Sequence, residues 1–132
     1  MSLPNWTNDY LGLPFIVGER DCWSFFRQVQ NDQFKRKVAA IDINAKDTLA
    51  VMHTVANHLE RKLWFETDDP QLGDGVLMAK GEHPFHVGCY IGSDYILHCI
   101  EPIGVILQTI VSLRLHGWQN LRFYRHASCY VQ

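Results

Sequence analysis

The spacing of apolar residues changes near residue 64 of this 132-residue chain, and that change constrains the fold more than any other feature. Before it, apolar side chains from Cys22 to Val29 recur at the spacing of one helix face, directly after Asp21 at the N-cap position. After it, short apolar segments alternate with turn residues, as in strands. This order predicts an α+β domain whose N-terminal helices pack on a small antiparallel sheet of about five strands.

The helix that begins at Cys22 is predicted to end near Lys37, and a second helix, capped by Asn44 or Asp47, to end near Leu63. Turns are predicted at 71–75 and 81–84. The predicted strands are 76–79, 86–91, 95–100, 104–110 and 121–126. At this length the elements form a single domain that spans residues 1–132.

Composition argues against several classes of protein. The net charge is −2, and the basic residues are scattered apart from Lys35-Arg36-Lys37, so no nucleic-acid partner is expected. No apolar stretch approaches the roughly 20 residues of a membrane-spanning helix. The first residues lack the basic and apolar regions of a signal peptide, so synthesis without one is expected.

The four cysteines form no CxxC pair, so the common zinc and redox spacings are missing. Cys89 and Cys99 are expected to be buried free thiols, although a disulfide across a hairpin is an alternative. A zinc site drawn from these cysteines and from His83, His86 and His98 is a further, less favoured alternative.

Cys22 is the first candidate for chemistry, because it stands at the start of a helix. The positive end of the helix and its unpaired N–H groups favour a thiolate over a thiol, and the same groups stabilise an oxyanion on an attacked carbonyl. The alternative is a core cysteine on the apolar helix face.

His86 and His98 make the chemical interpretation of Cys22 stronger. A histidine can take the proton of a thiol, and a second polar residue can orient that histidine. Residues of equal parity share one face of a strand, so a three-residue loop, or any register with an even sum, places both histidines on the same face. A two-residue loop is expected to separate them. Gly88 is expected to leave space for a substrate or for the cysteine's helix.

Taken together, these segments resemble the NlpC/P60 cysteine peptidases over nearly the whole chain, from about residue 11 to residue 126. The segments that carry the likeness are Asp21-Cys22-Trp23-Ser24-Phe25, Gly73-Asp74, His86-Val87-Gly88-Cys89-Tyr90-Ile91-Gly92 and Ile96-Leu97-His98. The resemblance implies a papain-like fold and a catalytic triad in which Cys22 is the nucleophile, His86 the general base and acid, and His98 the residue that orients the imidazole.

The resemblance also implies a substrate and a setting. The expected reaction is hydrolysis of the peptidoglycan stem peptide, typically between D-γ-glutamyl and a diamino acid, with no metal and no organic cofactor. Three segments are similar to phage tail-associated members: Asp21-Cys22-Trp23, His83-Pro84-Phe85-His86-Val87-Gly88 and Phe123-Tyr124-Arg125-His126. These imply tail-tip or baseplate proteins as partners. A chain made in the host cytoplasm would then act from the virion tail tip on the bacterial cell wall.

The predicted substrate-binding residues are Phe15, Tyr10, Trp23 and Gly88. Many members of the family have a tyrosine near the position of Phe15, and its hydroxyl helps to bind the substrate or the oxyanion. Phe15 has no hydroxyl, so Tyr10 or a backbone N–H is expected to take over that role. Two alternative functions stay open: a CHAP-like amidase, and a structural tail protein with vestigial activity.

Overall fold

The protein is represented by a computed structural model that describes residues 3–40, 63–81 and 83–130, without the side chains of 83–85. The helices are α1 at Cys22–Phe34, α2 at Ile110–Leu115, and 3-10 helices at Asn5–Asp9 and Ala127–Tyr130. The strands are β1 Trp64–Thr67, β2 Gly75–Lys80, β3 His83–Gly92, β4 Tyr95–Ile100, β5 Gly104–Thr109 and β6 Gln119–His126. The predicted second helix lies outside the described residues.

The six strands form one antiparallel sheet in the order β1-β6-β2-β3-β4-β5, so the predicted α+β class is confirmed. The sequence patterns missed the edge strand β1, which has only four residues and no clear alternation of burial. They also missed α2, which begins at Ile110, the last residue of the predicted strand 104–110. There the Thr109 hydroxyl accepts the N–H of Ser112 and caps the helix.

Helix α1 begins where Asp21 predicts it. The Asp21 carboxylate accepts the N–H of Ser24 at 2.8 Å, which satisfies one of the unpaired donors of the first turn. The helix ends at Phe34, three residues before the predicted end. Lys35 adopts a left-handed conformation with φ of 56°, and its N–H bonds the carbonyls of Asn31 and Gln30.

Each face of the sheet carries a hydrophobic cluster. On one face, α1 packs with side chains of β3 and β4, including Val87, Cys89 and Leu97. On the other face, Tyr90 and Ile96 pack with the buried residues Val76, Met78, Leu113 and Trp118. Neighbouring residues of β3 therefore belong to different clusters, and this separation decides which side chains meet the start of α1.

The β3–β4 hairpin places His86 and His98 on the same face of the sheet. Cys89 lies opposite Leu97 and Tyr90 opposite Ile96, so the register has an even sum, as one of the two predicted conditions required. Continued along the strands, this register puts His98 diagonally across from His86.

The expectation that a two-residue loop would separate the histidines is wrong. The turn does consist of Ser93 and Asp94 alone, both left-handed, as in a type I′ hairpin. However, the register shifts between Tyr90 and Gly92, and the extra residue of this bulge, Ile91, restores the shared face.

The Gly73-Asp74 turn is anchored to the last strand by a buried ion pair. The Asp74 carboxylate accepts the N–H of Gln71 at 2.7 Å and contacts the Arg125 guanidinium at 2.9 and 3.2 Å. The side chain of Asp74 is 2% exposed and that of Arg125 15% exposed. The predicted turn at 71–75 is therefore confirmed, and the ion pair ties the start of β2 to β6.

We expect Arg125→Met to lower the free energy of unfolding by about 3 kcal/mol, because it leaves the buried Asp74 carboxylate without its cation. Chemical denaturation measures the change. Arg122→Met is the matched control, since Arg122 lies on the same strand but is exposed. Equal denaturation midpoints for the two variants would contradict the prediction.

Candidate active site

Cys22 is the first residue of α1 and is half-buried against the cluster on the α1 face of the sheet. Its sulfur has two backbone amides as hydrogen-bond partners, those of Val87 in β3 and of Trp23 in its own helix. Both amides lower the pKa of the thiol, but burial outweighs them and raises it to about 12. The N–H of Trp23 at the helix start thus favours the thiolate as expected, but burial has the larger effect and the pKa of the Cys22 thiol is raised overall.

His86 and His98 form a directly bonded pair. Nε2 of His86 lies 2.7 Å from Nδ1 of His98, and the rings are nearly perpendicular. His86 is 7% exposed and His98 is fully buried. Burial lowers the pKa of His98 to about 4, although its hydrogen bond to Gln108 acts in the opposite direction. His98 is therefore a neutral imidazole at neutral pH.

Gln108 completes a polar chain that begins at His86. Its Oε1 lies 2.8 Å from Nε2 of His98, and its Nε2 donates to the Ser112 hydroxyl at 3.1 Å. Sequence reasoning did not single out Gln108. The available signal was that Gln108 is a polar residue in the strand that follows His98. It lies opposite Ile96, and Ile96 and His98 share one face of β4 because they are two residues apart.

Trp118 stacks on one face of the His86 ring. The two rings are stacked, with centroids 4.7 Å apart and an angle of 24° between their planes. Trp118 is itself buried, and the ammonium of Lys80 lies 5.3 Å from its ring centroid. This stacking holds the imidazole of His86 in one orientation and keeps water from one of its faces.

The cysteine and the histidine pair approach β3 from opposite sides of the sheet. Val87 belongs to the cluster on the α1 face, and His86 stacks on Trp118 in the other cluster. Cys22 contacts the strand at the backbone N–H of Val87, directly after His86 in the chain. The sulfur of Cys22 therefore lies beside the backbone of the residue that directly follows His86.

The sequence model of the NlpC/P60 family matches residues 12–122, which is most of the chain. The chain belongs to the NlpC/P60 family. Members of this family are cysteine peptidases, and the family suggests a peptidoglycan substrate. No curated protein matches the chain. Among the described residues, no helix is both long enough and apolar enough to cross a membrane.

Tyr10 does not take the place of the tyrosine that many NlpC/P60 members carry. Its hydroxyl donates to Asp32 and accepts from Gln33, both at 2.9 Å. These residues lie ten and eleven positions after Cys22, which is about 15 Å along the helix axis. The predicted contact of Tyr10 with the oxyanion is therefore wrong, because its hydroxyl is bound near the other end of α1.

The other predicted substrate-binding residues lie close to the site in different ways. Phe15 is half-buried and packs against the cluster that contains Cys22. Trp23 is buried, and its indole N–H donates to the Ala39 carbonyl at 2.9 Å, so it acts in packing. The space beside Gly88 is taken by the opposite strand, since a Cβ there would lie 2.6 Å from Cγ2 of Ile96. That space is therefore filled by β4, not left for α1.

All four cysteines of this NlpC/P60 chain are free thiols, including Cys89 and Cys99. Both of these thiols are buried in the cluster on the α1 face, whereas His86 and His98 lie on the other face. Cys89 and Cys99 therefore lie in a different cluster from the His86–His98 pair, while the side chain of His83, the remaining member of the alternative zinc site, is outside the described part of the structure. Within the described part of the chain, no three histidine, cysteine or acidic side chains are grouped as a metal site would require.

The low pKa of His98 predicts a loss of stability in acid. The unfolded chain takes up this proton at the ordinary pKa of 6.5 and the folded chain only at about 4, so stability falls as pH falls between these values. The total loss from this group is about 3 kcal/mol. We expect His98→Gln to remove this part of the pH dependence of unfolding.

Denaturant unfolding at a series of pH values measures the effect. His116→Gln is the control for the chemical change alone, since His116 is exposed. If His98→Gln and the wild type lost the same free energy between about pH 7 and pH 4, neutral burial of His98 would be refuted.

Proposed function

We propose that this chain is a peptidoglycan endopeptidase that hydrolyses the stem peptide between D-γ-glutamyl and a diamino acid. Two observations support the proposal: the helix-start Cys22 is hydrogen-bonded to the backbone N–H of Val87, and the preceding residue, His86, is directly bonded to His98. Membership of the NlpC/P60 family supports the thiol chemistry and the class of substrate.

The first step is attack by the Cys22 sulfur on the carbonyl carbon of the scissile amide. The thiol is protonated in the free protein, so its proton must leave as the new C–S bond forms. His86 accepts it. Because Nε2 of His86 is bonded to His98, the nitrogen that exchanges protons with Cys22 is assigned to Nδ1.

The oxyanion of the tetrahedral intermediate is assigned to backbone N–H groups at the start of α1. The N–H of Ser24 is committed to the Asp21 carboxylate, while the N–H of Trp23 already contacts the Cys22 sulfur. Phe15 has no hydroxyl, and the hydroxyl of Tyr10 is bound elsewhere. The N–H of Trp23 therefore takes the role that a tyrosine shares in many relatives.

The intermediate collapses when His86 gives its proton to the leaving amine and the C–N bond breaks. This leaves the γ-glutamyl group as a thioester on Cys22. Water then attacks the thioester, His86 takes a proton from that water, and the thiol is regenerated as the carboxylate product leaves. His98 accepts a hydrogen bond from His86 throughout and stabilises the imidazolium while it exists.

The setting that we propose is a phage tail tip, where the chain would open the wall locally during infection. The support is the likeness of three segments to tail-associated family members. One of them contains Arg125, whose side chain anchors the Gly73-Asp74 turn. The expected partners are neighbouring tail-tip or baseplate proteins.

We expect Cys22→Ala to reduce cleavage of purified stem peptides by at least about 10³-fold, because the variant has no nucleophile. Mass spectrometry identifies the bond that is cut. Cys129→Ala is the matched control, since Cys129 is exposed and lies outside the site. It should cleave at the wild-type rate.

The position of the cut separates the alternatives. A cut between D-γ-glutamyl and the diamino acid supports the proposal. A cut at the bond between the sugar's lactyl group and alanine would replace it with an amidase activity. No cleavage by the wild type, on intact peptidoglycan or on stem peptides, would refute it in favour of a structural tail protein.

A further inference from the structure

The hydrogen bonds that link His86, His98, Gln108 and Ser112 must all donate in the same direction, because a neutral imidazole carries only one N–H. Both ring nitrogens of His98 are engaged, Nδ1 with His86 and Nε2 with Gln108. One of these nitrogens must donate and the other must accept. Whether His98 donates to or accepts from Gln108 therefore decides whether it accepts from or donates to His86.

Two arrangements satisfy the contacts from His86 to His98 and from His98 to Gln108. In the first, Nε2–H of His98 donates to Oε1 of Gln108, and Nδ1 of His98 accepts from Nε2–H of His86. Nδ1 of His86 then carries a lone pair and can take a proton from a thiol. In the second, the amide of Gln108 is turned over and every hydrogen bond is reversed, so Nδ1 of His86 carries a hydrogen and cannot act as a base.

The amide of Gln108 has the orientation of the first arrangement. Its Oε1 faces His98, and its Nε2 donates to the Ser112 hydroxyl at 3.1 Å. Ser112 is held in place because its backbone N–H bonds the hydroxyl of Thr109 at the start of α2. Both ends of the amide group are thus hydrogen-bonded, the oxygen to His98 and the nitrogen to Ser112.

We infer that Gln108 is a positioning residue that selects the Nε2–H tautomer of His98 and, through it, the tautomer of His86 that can accept a proton from Cys22. This inference rests on the proposed function for its catalytic consequence, but the tautomer itself is independent of activity. Gln108 touches neither the thiol nor a substrate in this scheme. Its effect passes entirely through His98.

Two substitutions separate the hydrogen bond from the packing. Gln108→Met keeps the length of the side chain but removes the amide oxygen and the amide nitrogen, so the two tautomers of His98 become similar in energy. Gln108→Glu supplies only acceptors, so it keeps the Nε2–H tautomer and raises the pKa of His98 above its value of about 4. Gln119→Met, at an exposed position of β6, is the control for the chemical change alone.

The first measurement is nitrogen-15 NMR of the imidazole rings in the full chain at neutral pH, where two-bond correlations identify the protonated nitrogen. The wild type, Gln108→Glu and Gln119→Met should show His98 protonated at Nε2. Gln108→Met should show a mixture of tautomers in His98 and His86. A single unchanged tautomer in Gln108→Met would overturn the inference, provided that its denaturation curve shows a folded protein.

The second measurement is the kinetics of stem-peptide cleavage. Gln108→Met should lower kcat by about 10- to 100-fold with little change in KM, because an orienting contact is lost and no substrate contact is. Gln108→Glu should retain more of kcat, with the acid limb of its pH profile moved to higher pH. If Gln108→Met showed a mixture of tautomers with an unchanged kcat, the link between Gln108 and catalysis would be overturned. If the wild type did not cleave stem peptides, the proposed function would be refuted, and the NMR result alone would decide whether Gln108 selects the tautomer.

Discussion

The register between β3 and β4 controls whether this chain has a histidine pair at all. With a two-residue turn and no bulge, Ile91 would face Ile96, and His98 would move to the α1 face of the sheet, away from His86. The bulge at Ile91 prevents this, since one extra residue in β3 moves every earlier residue of that strand to the opposite face relative to β4. The close contact between Gly88 and Ile96 depends on the same register, because a side chain at residue 88 would collide with that isoleucine.

The same sheet then separates two environments that the site needs. On the α1 face, the apolar cluster buries Cys22 and raises the pKa of its thiol to about 12. On the other face, burial holds His98 neutral, and Trp118 shields the His86 ring. The Cys22 thiol and the His98 imidazole are therefore both uncharged in the free protein. In the proposed mechanism, charge on the sulfur develops only as its proton moves to His86 during attack.

Much of this arrangement could be predicted from the sequence. The helix start at Asp21, the strands that carry His86 and His98, and the α+β class follow from apolar spacing and capping alone. The bulge could not be predicted, because the same sequence is compatible with a hairpin that has a regular register and with one that has an extra residue in β3. Gln108 was missed for a related reason. A single glutamine in a half-buried strand has no distinguishing pattern until the register shows which residue it faces.

The location of Tyr10 shows a second limit of sequence reasoning. Tyr10 lies five residues before Phe15 in the sequence, so it was a reasonable substitute for the tyrosine that many family members have near the position of Phe15. In the fold, however, the segment before α1 packs Tyr10 against the far end of that helix, and Asp32 and Gln33 bind its hydroxyl. Separation along the chain did not indicate distance in space, because the path of an irregular segment is set by packing and not by periodicity.

A neutral partner for His98 suits the proposed mechanism better than a carboxylate would. In the tetrahedral intermediate His86 is positively charged, and its Nε2–H needs an acceptor. Only a neutral His98 can accept that hydrogen bond through Nδ1, since a protonated His98 would repel the imidazolium and have no lone pair to offer. A carboxylate in the place of Gln108 would raise the pKa of His98 and move it toward that charged form. An amide fixes the same tautomer while adding no charge, and burial then keeps His98 in the form that stabilises the intermediate.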